Sequence, residues 1–217
     1  NLFDARTSFS GVKWGVDDAA DSLITENKLQ QLIIVGIYNT PDRISEYSPF
    51  ADNERGGGNG DAYLSFIVES VKQFIDEKYR TLTNRENTGI AGSSLGGLIS
   101  LYASIKFNDI FGLVGAVSPA IYWSNLRIID YLKDSKLAYP FKIWFDMGTD
   151  EGEDSGILFK YKKAIQHCRL LKEAIDYKNC ISENKITYHY EEIENAKHNE
   201  KYWAERIDRI LLYLFGK

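Results

Sequence analysis

Short apolar runs of strand length alternate along the chain with longer amphipathic segments, and this alternation constrains the fold more than any other feature. Five runs have the mostly apolar, often β-branched character of buried strands: QLIIVGIY (31–38), NTGIAG (87–92), FGLVGAVSP (111–119), FKIWFDMG (141–148) and KITYHYEEI (185–193). Strands that alternate with helices imply a mostly parallel sheet with helices on both faces. The sequence therefore predicts one α/β domain over residues 1–217, with ligands at the carboxyl ends of the strands.

Helical periodicity fills the intervals between these runs. From Asp61 to Tyr79 the apolar residues recur at three- and four-residue steps, which predicts an amphipathic helix with Asp61 near its start. Further helices are predicted over 95–105, 124–134, 156–176 and 200–215. The last of these is expected to bury one face, formed by Trp203, Ile207, Ile210, Leu211 and Leu214.

Composition argues against several classes of function. The formal net charge is −5 and no basic stripe is present, so neither a nucleic-acid nor an anionic-membrane partner is expected. No run approaches the roughly 18 to 20 apolar residues that a membrane span needs. Cys168 and Cys180 form no Cys-x-x-Cys pair and no histidine clusters with them, which predicts no metal site; whether they form a disulfide stays open. Compartment and oligomeric state also stay open.

The stretch GSSLG (92–96) lies between a predicted strand and a predicted helix and fits G-x-S-x-G, the pattern of a nucleophile elbow. In such an elbow the central residue, Ser94, sits on a strained turn above the sheet. Gly92 and Gly96 lack the Cβ atoms that would collide where strand and helix cross. The helix that begins at Leu95 points its free amides toward the site, where they favour an oxyanion. A glycine-rich turn without chemistry is the alternative.

A serine nucleophile needs a base, and the base needs an orienting carboxylate. In this arrangement the acid and then the histidine follow the serine along the chain. His167 lies within a predicted helix and His189 within a predicted strand. His198 lies in the loop between the last strand and the last helix, so we predict that His198 is the general base; a solvated loop histidine is the alternative.

The acid is expected directly after the fourth predicted strand, where the chain reads GTDEGED (148–154). Glu151, Asp150 and Asp154 all qualify by position. A spacing of three residues after the glycine that ends the strand, common in hydrolases of this kind, selects Glu151, with Asp150 as the next choice. Asp146 lies inside the strand, where it is less able to reach a loop histidine.

Two further segments are candidates for the walls of a substrate cleft. Trp123 follows the strand predicted over 111–119 and is a candidate substrate contact, with a packed core indole as the alternative. The glycine-rich GGGNG (56–60) is a candidate rim, with a plain surface loop as the alternative.

Taken together, seven blocks make the chain resemble the putative-esterase branch of the α/β-hydrolases. That branch includes enterochelin-type esterases, feruloyl and acetyl-xylan esterase domains, the esterase D group and the mycolyltransferases. The blocks are NLFDARTSFSGVKWGVDDAAD (1–21), SEYSPF (45–50), GGGNGDAYLSFIVESVKQFIDEKYRT (56–81), GIAGSSLGGLISLYA (89–103), AVSPAIYW (116–123), GTDEG (148–152) and HNEKYWAERI (198–207). The resemblance implies an α/β-hydrolase fold, Ser94 as nucleophile, His198 as base and the backbone N–H of Leu95 as one oxyanion donor. It is compatible with Glu151 as acid, although many members carry Asp there.

One part of the family pattern has no counterpart in this sequence. In relatives, an early strand and a His-Asp-Gly-Gln-like turn precede the block similar to NLFD and supply the second oxyanion amide. Since the sequence starts at Asn1, the leading N-terminal strands of the sheet are expected to be absent from this chain. The second amide is then expected either upstream or from a group near Asn1.

The predicted activity is that of a serine esterase that hydrolyses carboxylic esters through an acyl-enzyme, without a metal or other cofactor. The expected partner is a small-molecule or carbohydrate-linked ester. The aromatic share of 13% and the resemblance favour an ester of a sugar or of an aromatic acid. A siderophore-type lactone esterase, an acyltransferase with the same triad and a non-catalytic binding module are the alternatives.

Overall fold

A four-stranded parallel sheet lies at the centre of the computed structural model, which describes residues 2–8, 11–151 and 163–217. The strands are β1 (Gly89–Ser93), β2 (Leu113–Val117), β3 (Phe141–Gly148) and β4 (Ile186–Ile193), and they lie in that order across the sheet. Because the strands are parallel, all four carboxyl ends lie at one edge. The predicted α/β class is confirmed.

Helices connect the strands and cover the sheet. They are α1 (Val16–Thr25), α2 (Arg43–Tyr47), α3 (Gly60–Phe66), α4 (Gln73–Lys78), α5 (Leu95–Lys106), α6 (Arg127–Asp134), α7 (Ala164–Ile181), α8 (Glu200–Ala204) and α9 (Ile207–Phe215). A π-helical turn over Ile67–Lys72 joins α3 to α4, so the helix predicted from Asp61 is continuous through Lys78. Across the described ranges we find no helix whose length and apolar character would let it span a bilayer.

Two apolar cores lie on the two faces of the sheet, because consecutive side chains along a strand point to opposite faces. Val114 of β2 and Ile143 and Phe145 of β3 are buried in the larger core, beside α5 and α7. Val117 and Trp144 point the other way, into a smaller core that they share with α1 and α9. Burial on both faces explains why β2 is apolar throughout.

The strand predicted over 31–38 is wrong. The segment is not part of a strand and joins no ladder with the described residues. Ile33 and Val35 are 49% and 40% exposed. An apolar, β-branched segment forms a strand only where an adjacent strand supplies hydrogen bonds. The apolar pattern of residues 31–38 gives no information about such a partner, which is why it led to a wrong prediction.

The helix predicted over 156–176 is confirmed over its described part. Residues 152–162 lie outside the described ranges, and α7 continues five residues beyond the predicted end, to Ile181. Cys168 and Cys180 both lie on α7 as free thiols, the first buried and the second exposed. Burial raises the pKa of the Cys168 thiol, which keeps it protonated near neutral pH.

The helix predicted over 200–215 is interrupted near Arg206. α8 ends at Ala204 and α9 begins at Ile207. At the interruption the Arg206 side chain points inward, where it is 1% exposed and pairs with Asp146 of β3. The apolar face predicted for this segment is buried as expected, with Trp203, Ile207, Ile210, Leu211 and Leu214 in the smaller core.

Candidate active site

The chain turns sharply at Ser94, between the end of β1 and the start of α5. Ser94 has φ +57° and ψ −121°, a conformation that residues with a side chain rarely adopt. Its N–H donates to the Val117 carbonyl at 3.0 Å, and its carbonyl accepts from the Ala120 N–H at 3.0 Å. β2 and the loop after it therefore hold the strained residue from both sides, as a nucleophile elbow requires.

Close packing of α5 on β1 explains part of the glycine content of the elbow. A Cβ at Gly92 would lie 2.7 Å from the carbonyl carbon and oxygen of Gly96, so the predicted crowding is confirmed at Gly92. At Gly96 the prediction is wrong, because a Cβ there would meet only a ring carbon of Tyr47, at 4.0 Å. The N–H of Leu95 belongs to the first turn of α5 and has no partner within the helix. Asn1 itself lies outside the described residues, and a second oxyanion donor, upstream or near Asn1, stays a prediction.

His198 and Glu151 are in direct contact at the carboxyl edge of the sheet. His198 Nδ1 lies 2.7 Å from Glu151 Oε2, although the two residues are 47 positions apart. The Glu151 side chain is fully buried and that of His198 is 15% exposed. The Asp150 N–H donates to the Ala196 carbonyl at 3.1 Å, which holds the loops after β3 and β4 side by side.

Both oxygens of Glu151 accept hydrogen bonds, and the contact of Oε2 with Nδ1 indicates which imidazole nitrogen carries the proton. Oε1 accepts from the Gly148 N–H at 3.0 Å and from the Ser118 hydroxyl at 2.5 Å. Because an ionised carboxylate only accepts hydrogen bonds, Nδ1 of a neutral His198 donates its proton to Oε2. The lone pair of the imidazole then lies on Nε2, which is the form that a general base needs.

Trp203 of α8 packs against the imidazole. Its indole meets the His198 ring edge to face, with ring centroids 5.0 Å apart and planes at 87°. The Trp203 Nε1–H donates to Ser118 Oγ at 3.0 Å, and Trp14 packs against the same indole at 5.9 Å. The orientation of the imidazole is thereby fixed by a carboxylate on one side and a buried ring on the other.

No other candidate residue that the structure describes, Ser94 included, forms a hydrogen bond with this pair. Asp150 follows β3, but its carboxylate accepts from the neighbouring threonine hydroxyl, at 3.2 Å. Asp154 lies outside the described residues. His167 lies on α7, where burial lowers its pKa, and His189 of β4 stacks on Trp144 with centroids 4.1 Å apart. Of the two candidates for the acid that the structure describes, Asp150 and Glu151, it brings Glu151 to the histidine.

Trp123 packs in the core rather than along a cleft. Its side chain belongs to the larger core, the residue is 3% exposed, and its Nε1–H donates to the Phe50 carbonyl at 2.8 Å. Gly57, at φ +87°, lies so close that a Cβ there would be 3.1 Å from Trp123 Cζ2. Asp52 and Gly56 exchange backbone hydrogen bonds of 2.7 and 2.8 Å, which close a turn over residues 53–55, directly before the glycine-rich segment 56–60. Trp123 is therefore a packed core indole, the alternative that the sequence left open.

A buried ion pair beneath the site was missed in the sequence. Arg206 Nε donates to Asp146 Oδ2 at 3.0 Å and Arg206 Nη2 donates to Asp146 Oδ1 at 2.8 Å, with both side chains almost fully buried. Arg206 Nη2 also donates to Ser118 Oγ at 2.9 Å. The signal that could have found this pair is Asp146, a charge within the apolar run IWFDM of β3, because a buried charge needs a partner. Arg206 lies among other charged residues and carries no such signal.

Comparisons with known proteins show which proteins this chain is similar to. A family model described as "Putative esterase" matches residues 2–214. The uncharacterized protein YbbA of Bacillus subtilis (strain 168) is 26% identical over 205 residues, which cover 91% of this chain and 78% of that protein. A siderophore enterobactin esterase of Emericella nidulans is 35% identical over 72 residues, which cover 33% of this chain and 24% of that protein.

Solved structures show the same fold. An IroE-like serine hydrolase from Shewanella oneidensis superposes with a TM-score of 0.73 at 17% identity, covering 98% of this chain and 68% of that one. The superposition confirms the α/β-hydrolase type of fold expected from the sequence.

Proposed function

Because the chain belongs to the putative-esterase family, we propose that it is a serine esterase that hydrolyses carboxylic esters through an acyl-enzyme. The observation that carries the proposal is the 2.7 Å contact between His198 and the buried Glu151, at the sheet edge where the Ser94 elbow also lies. Ser94 is the proposed nucleophile, His198 the base and Glu151 the orienting acid.

In the first step, His198 Nε2 takes the hydroxyl proton of Ser94 as Ser94 Oγ attacks the ester carbonyl. The imidazolium that forms is stabilised by the carboxylate of Glu151, and the low polarity of a buried site strengthens this attraction. The developing oxyanion accepts a hydrogen bond from the N–H of Leu95, in the first turn of α5, where the helix dipole also favours negative charge.

In the second step, the alcohol leaves with a proton from His198 and the acyl group remains on Ser94. Water then attacks the acyl-enzyme, with His198 again acting as base, and the acid product is released. Ser94 and His198 thereby return to their starting protonation states. An acyltransferase would use the same residues and would differ only in replacing water by an acceptor alcohol.

The proposed substrate is a small-molecule or carbohydrate-linked ester of a sugar or of an aromatic acid. A siderophore-type lactone is a second candidate, supported by the stretch that this chain shares with the siderophore enterobactin esterase of Emericella nidulans.

The test is hydrolysis of p-nitrophenyl, feruloyl, acetyl-sugar and catecholate-lactone esters by the wild-type protein and by two neighbouring variants. Ser94→Ala is expected to lower kcat by about 10³-fold or more, because the nucleophile is lost. Ser93→Ala is the matched control: Ser93 is the last residue of β1, pairs with Val117, and is expected to keep most of the activity.

Three outcomes decide between the candidates. Full activity of Ser94→Ala contradicts the proposed mechanism. A folded wild-type protein that hydrolyses none of these esters supports the non-catalytic binding module instead. With an added acceptor alcohol, a new ester as the main product identifies an acyltransferase.

A further inference from the structure

Ser118, the residue after β2, lies where several buried groups of the site meet. Its φ is +44°, in the left-handed region that a serine rarely adopts, and it is fully buried. Such a backbone conformation persists only where the surrounding structure enforces it, and it is concentrated at functional sites. Its N–H donates to Asp146 Oδ1 at 3.0 Å, which anchors the strained residue to β3.

Every hydrogen-bonding position of the Ser118 hydroxyl is occupied. Its oxygen accepts from Trp203 Nε1 at 3.0 Å and from Arg206 Nη2 at 2.9 Å. An indole and a guanidinium can only donate, so both lone pairs of the oxygen are taken. Within the part of the chain that the structure describes, the hydroxyl proton has one acceptor, Glu151 Oε1, at 2.5 Å. The two donors therefore fix the direction in which Ser118 donates.

The groups that direct Ser118 are themselves held in place. Arg206 is bidentate to Asp146, and its Nη1 donates to the Tyr202 carbonyl at 3.0 Å. Asp146 Oδ2 accepts a further bond from Trp144 Nε1, at 2.7 Å. The positive charge of Arg206 is thus neutralised within the pair, which leaves the charge of Glu151 to act on the histidine.

Glu151 needs such an external constraint. The last torsion of a glutamate is broad and roughly two-fold, so the side chain itself does not set the plane of its carboxylate. Two donors on Oε1, the Gly148 N–H and the Ser118 hydroxyl, set that plane and direct Oε2 toward His198 Nδ1.

We infer that Ser118 is a positioning residue, which orients the carboxylate of Glu151 toward His198 and is itself oriented by Arg206 and Trp203. This inference rests on the proposed function of Glu151 and His198. Ser118 touches neither substrate nor reacting atoms in this role, and it acts only through Glu151.

The test is a double-mutant cycle with Ser118→Ala, Glu151→Ala and the variant that combines them. It measures kcat and KM for a p-nitrophenyl ester and the rate of labelling by a fluorophosphonate. Ser118→Ala is expected to lower kcat by about 10- to 100-fold, the worth of one hydrogen bond to a charged group, with KM nearly unchanged. In the Glu151→Ala background the same change is expected to lower kcat by less than about twofold, because coupled residues are not additive.

Ser104→Ala is the matched control. Ser104 is also fully buried and donates to the Leu101 carbonyl at 2.8 Å, within α5. It is expected to leave kcat unchanged in both backgrounds. Equal losses from Ser118→Ala with and without Glu151 would show a merely structural role and overturn the inference, as would an undiminished kcat.

If Ser118→Ala does not fold, Ser118→Cys keeps a weaker donor at the same place. It is expected to give a reduced kcat with the same dependence on Glu151, and wild-type kcat overturns the inference.

If wild-type protein shows no activity, or Glu151→Ala is fully active, it is the proposed function that fails. Proton NMR then decides for Ser118: the downfield Nδ1–H signal of His198, assigned by its loss in His198→Ala, is expected to shift or broaden in the Ser118 variant, and an unchanged signal overturns the inference.

Discussion

Replacing Arg206 by methionine tests how much the buried ion pair beneath the site contributes to stability. The substitution keeps most of the side-chain length but removes the charge and every hydrogen bond of the guanidinium. Arg169→Met is the matched control, because Arg169 also forms a two-bond pair, with Glu192 at 2.7 and 2.8 Å, on the protein surface. The two arginines differ in exposure, at 1% for Arg206 and 58% for Arg169.

The expected loss follows from what Arg206→Met leaves behind. The carboxylate of Asp146 is fully buried and, among the described residues, keeps two donors, the Ser118 N–H and Trp144 Nε1. Removing one partner of a buried pair costs about 3–5 kcal/mol, because the other charge stays uncompensated. The exposed pair of Arg169 is screened by water, and its loss costs about 0–1 kcal/mol.

Urea denaturation measures both values, with the free energy of unfolding obtained by linear extrapolation. For a chain of this size, the expected loss at Arg206 lowers Tm by about 6–20 °C. Circular dichroism of the folded variants checks that both keep the native secondary structure. If Arg206→Met costs no more than Arg169→Met, the assignment of the larger contribution to the buried pair is wrong.

Two further substitutions have outcomes that the structure specifies. Glu151→Gln is expected to lower kcat on a p-nitrophenyl ester by about 10²- to 10⁴-fold, since an amide does not stabilise the imidazolium. Asp150→Asn, which alters a residue with no hydrogen bond to His198, is the control and is expected to keep wild-type kcat. Equal losses of kcat in the two variants would contradict the assignment of Glu151 as the acid. Tyr213→Phe is expected to raise the free energy of unfolding by about 1 kcal/mol, because the Tyr213 hydroxyl is buried without a hydrogen-bond partner among the described residues. Burial also raises the pKa of Tyr213 to about 12. The unfolded phenol loses its proton first, near pH 10, so Tyr213 makes the stability of the wild-type protein fall as the pH rises from about 10 to about 12. Urea unfolding at pH 8 and pH 11 is expected to show a smaller loss of unfolding free energy in Tyr213→Phe than in the wild-type protein. Identical losses in the two proteins would refute this reading.

The sheet and its main helices could be predicted because their signals are local. β2 and β3 are buried on both faces, and such strands are apolar runs whatever surrounds them. The elbow at Ser94 was equally visible, because close packing leaves room only for glycine at Gly92. Placing the histidine in the loop after β4 followed from the order serine, acid, histidine along the chain, and the structure shows His198 there beside Glu151.

Features that depend on distant partners could not be predicted in this way. Residues 31–38 have the composition of a strand, but pairing is a property of the neighbour and not of the segment. The two side chains that donate hydrogen bonds to the Ser118 hydroxyl are Trp203 and Arg206, which are 85 and 88 positions away in the sequence. Ser94 is marked by the G-x-S-x-G pattern, but no local pattern marks Ser118, so the positive φ and the partners of Ser118 became visible only in three dimensions.

Mapping the site of fluorophosphonate labelling by mass spectrometry tests the central claim most directly, because it asks whether the serine at the elbow is an activated nucleophile. We predict one adduct, on the peptide that contains Ser94, which disappears in Ser94→Ala and forms much more slowly in His198→Ala. A folded protein that takes up no label, or one that is still labelled after Ser94→Ala, would contradict the claim.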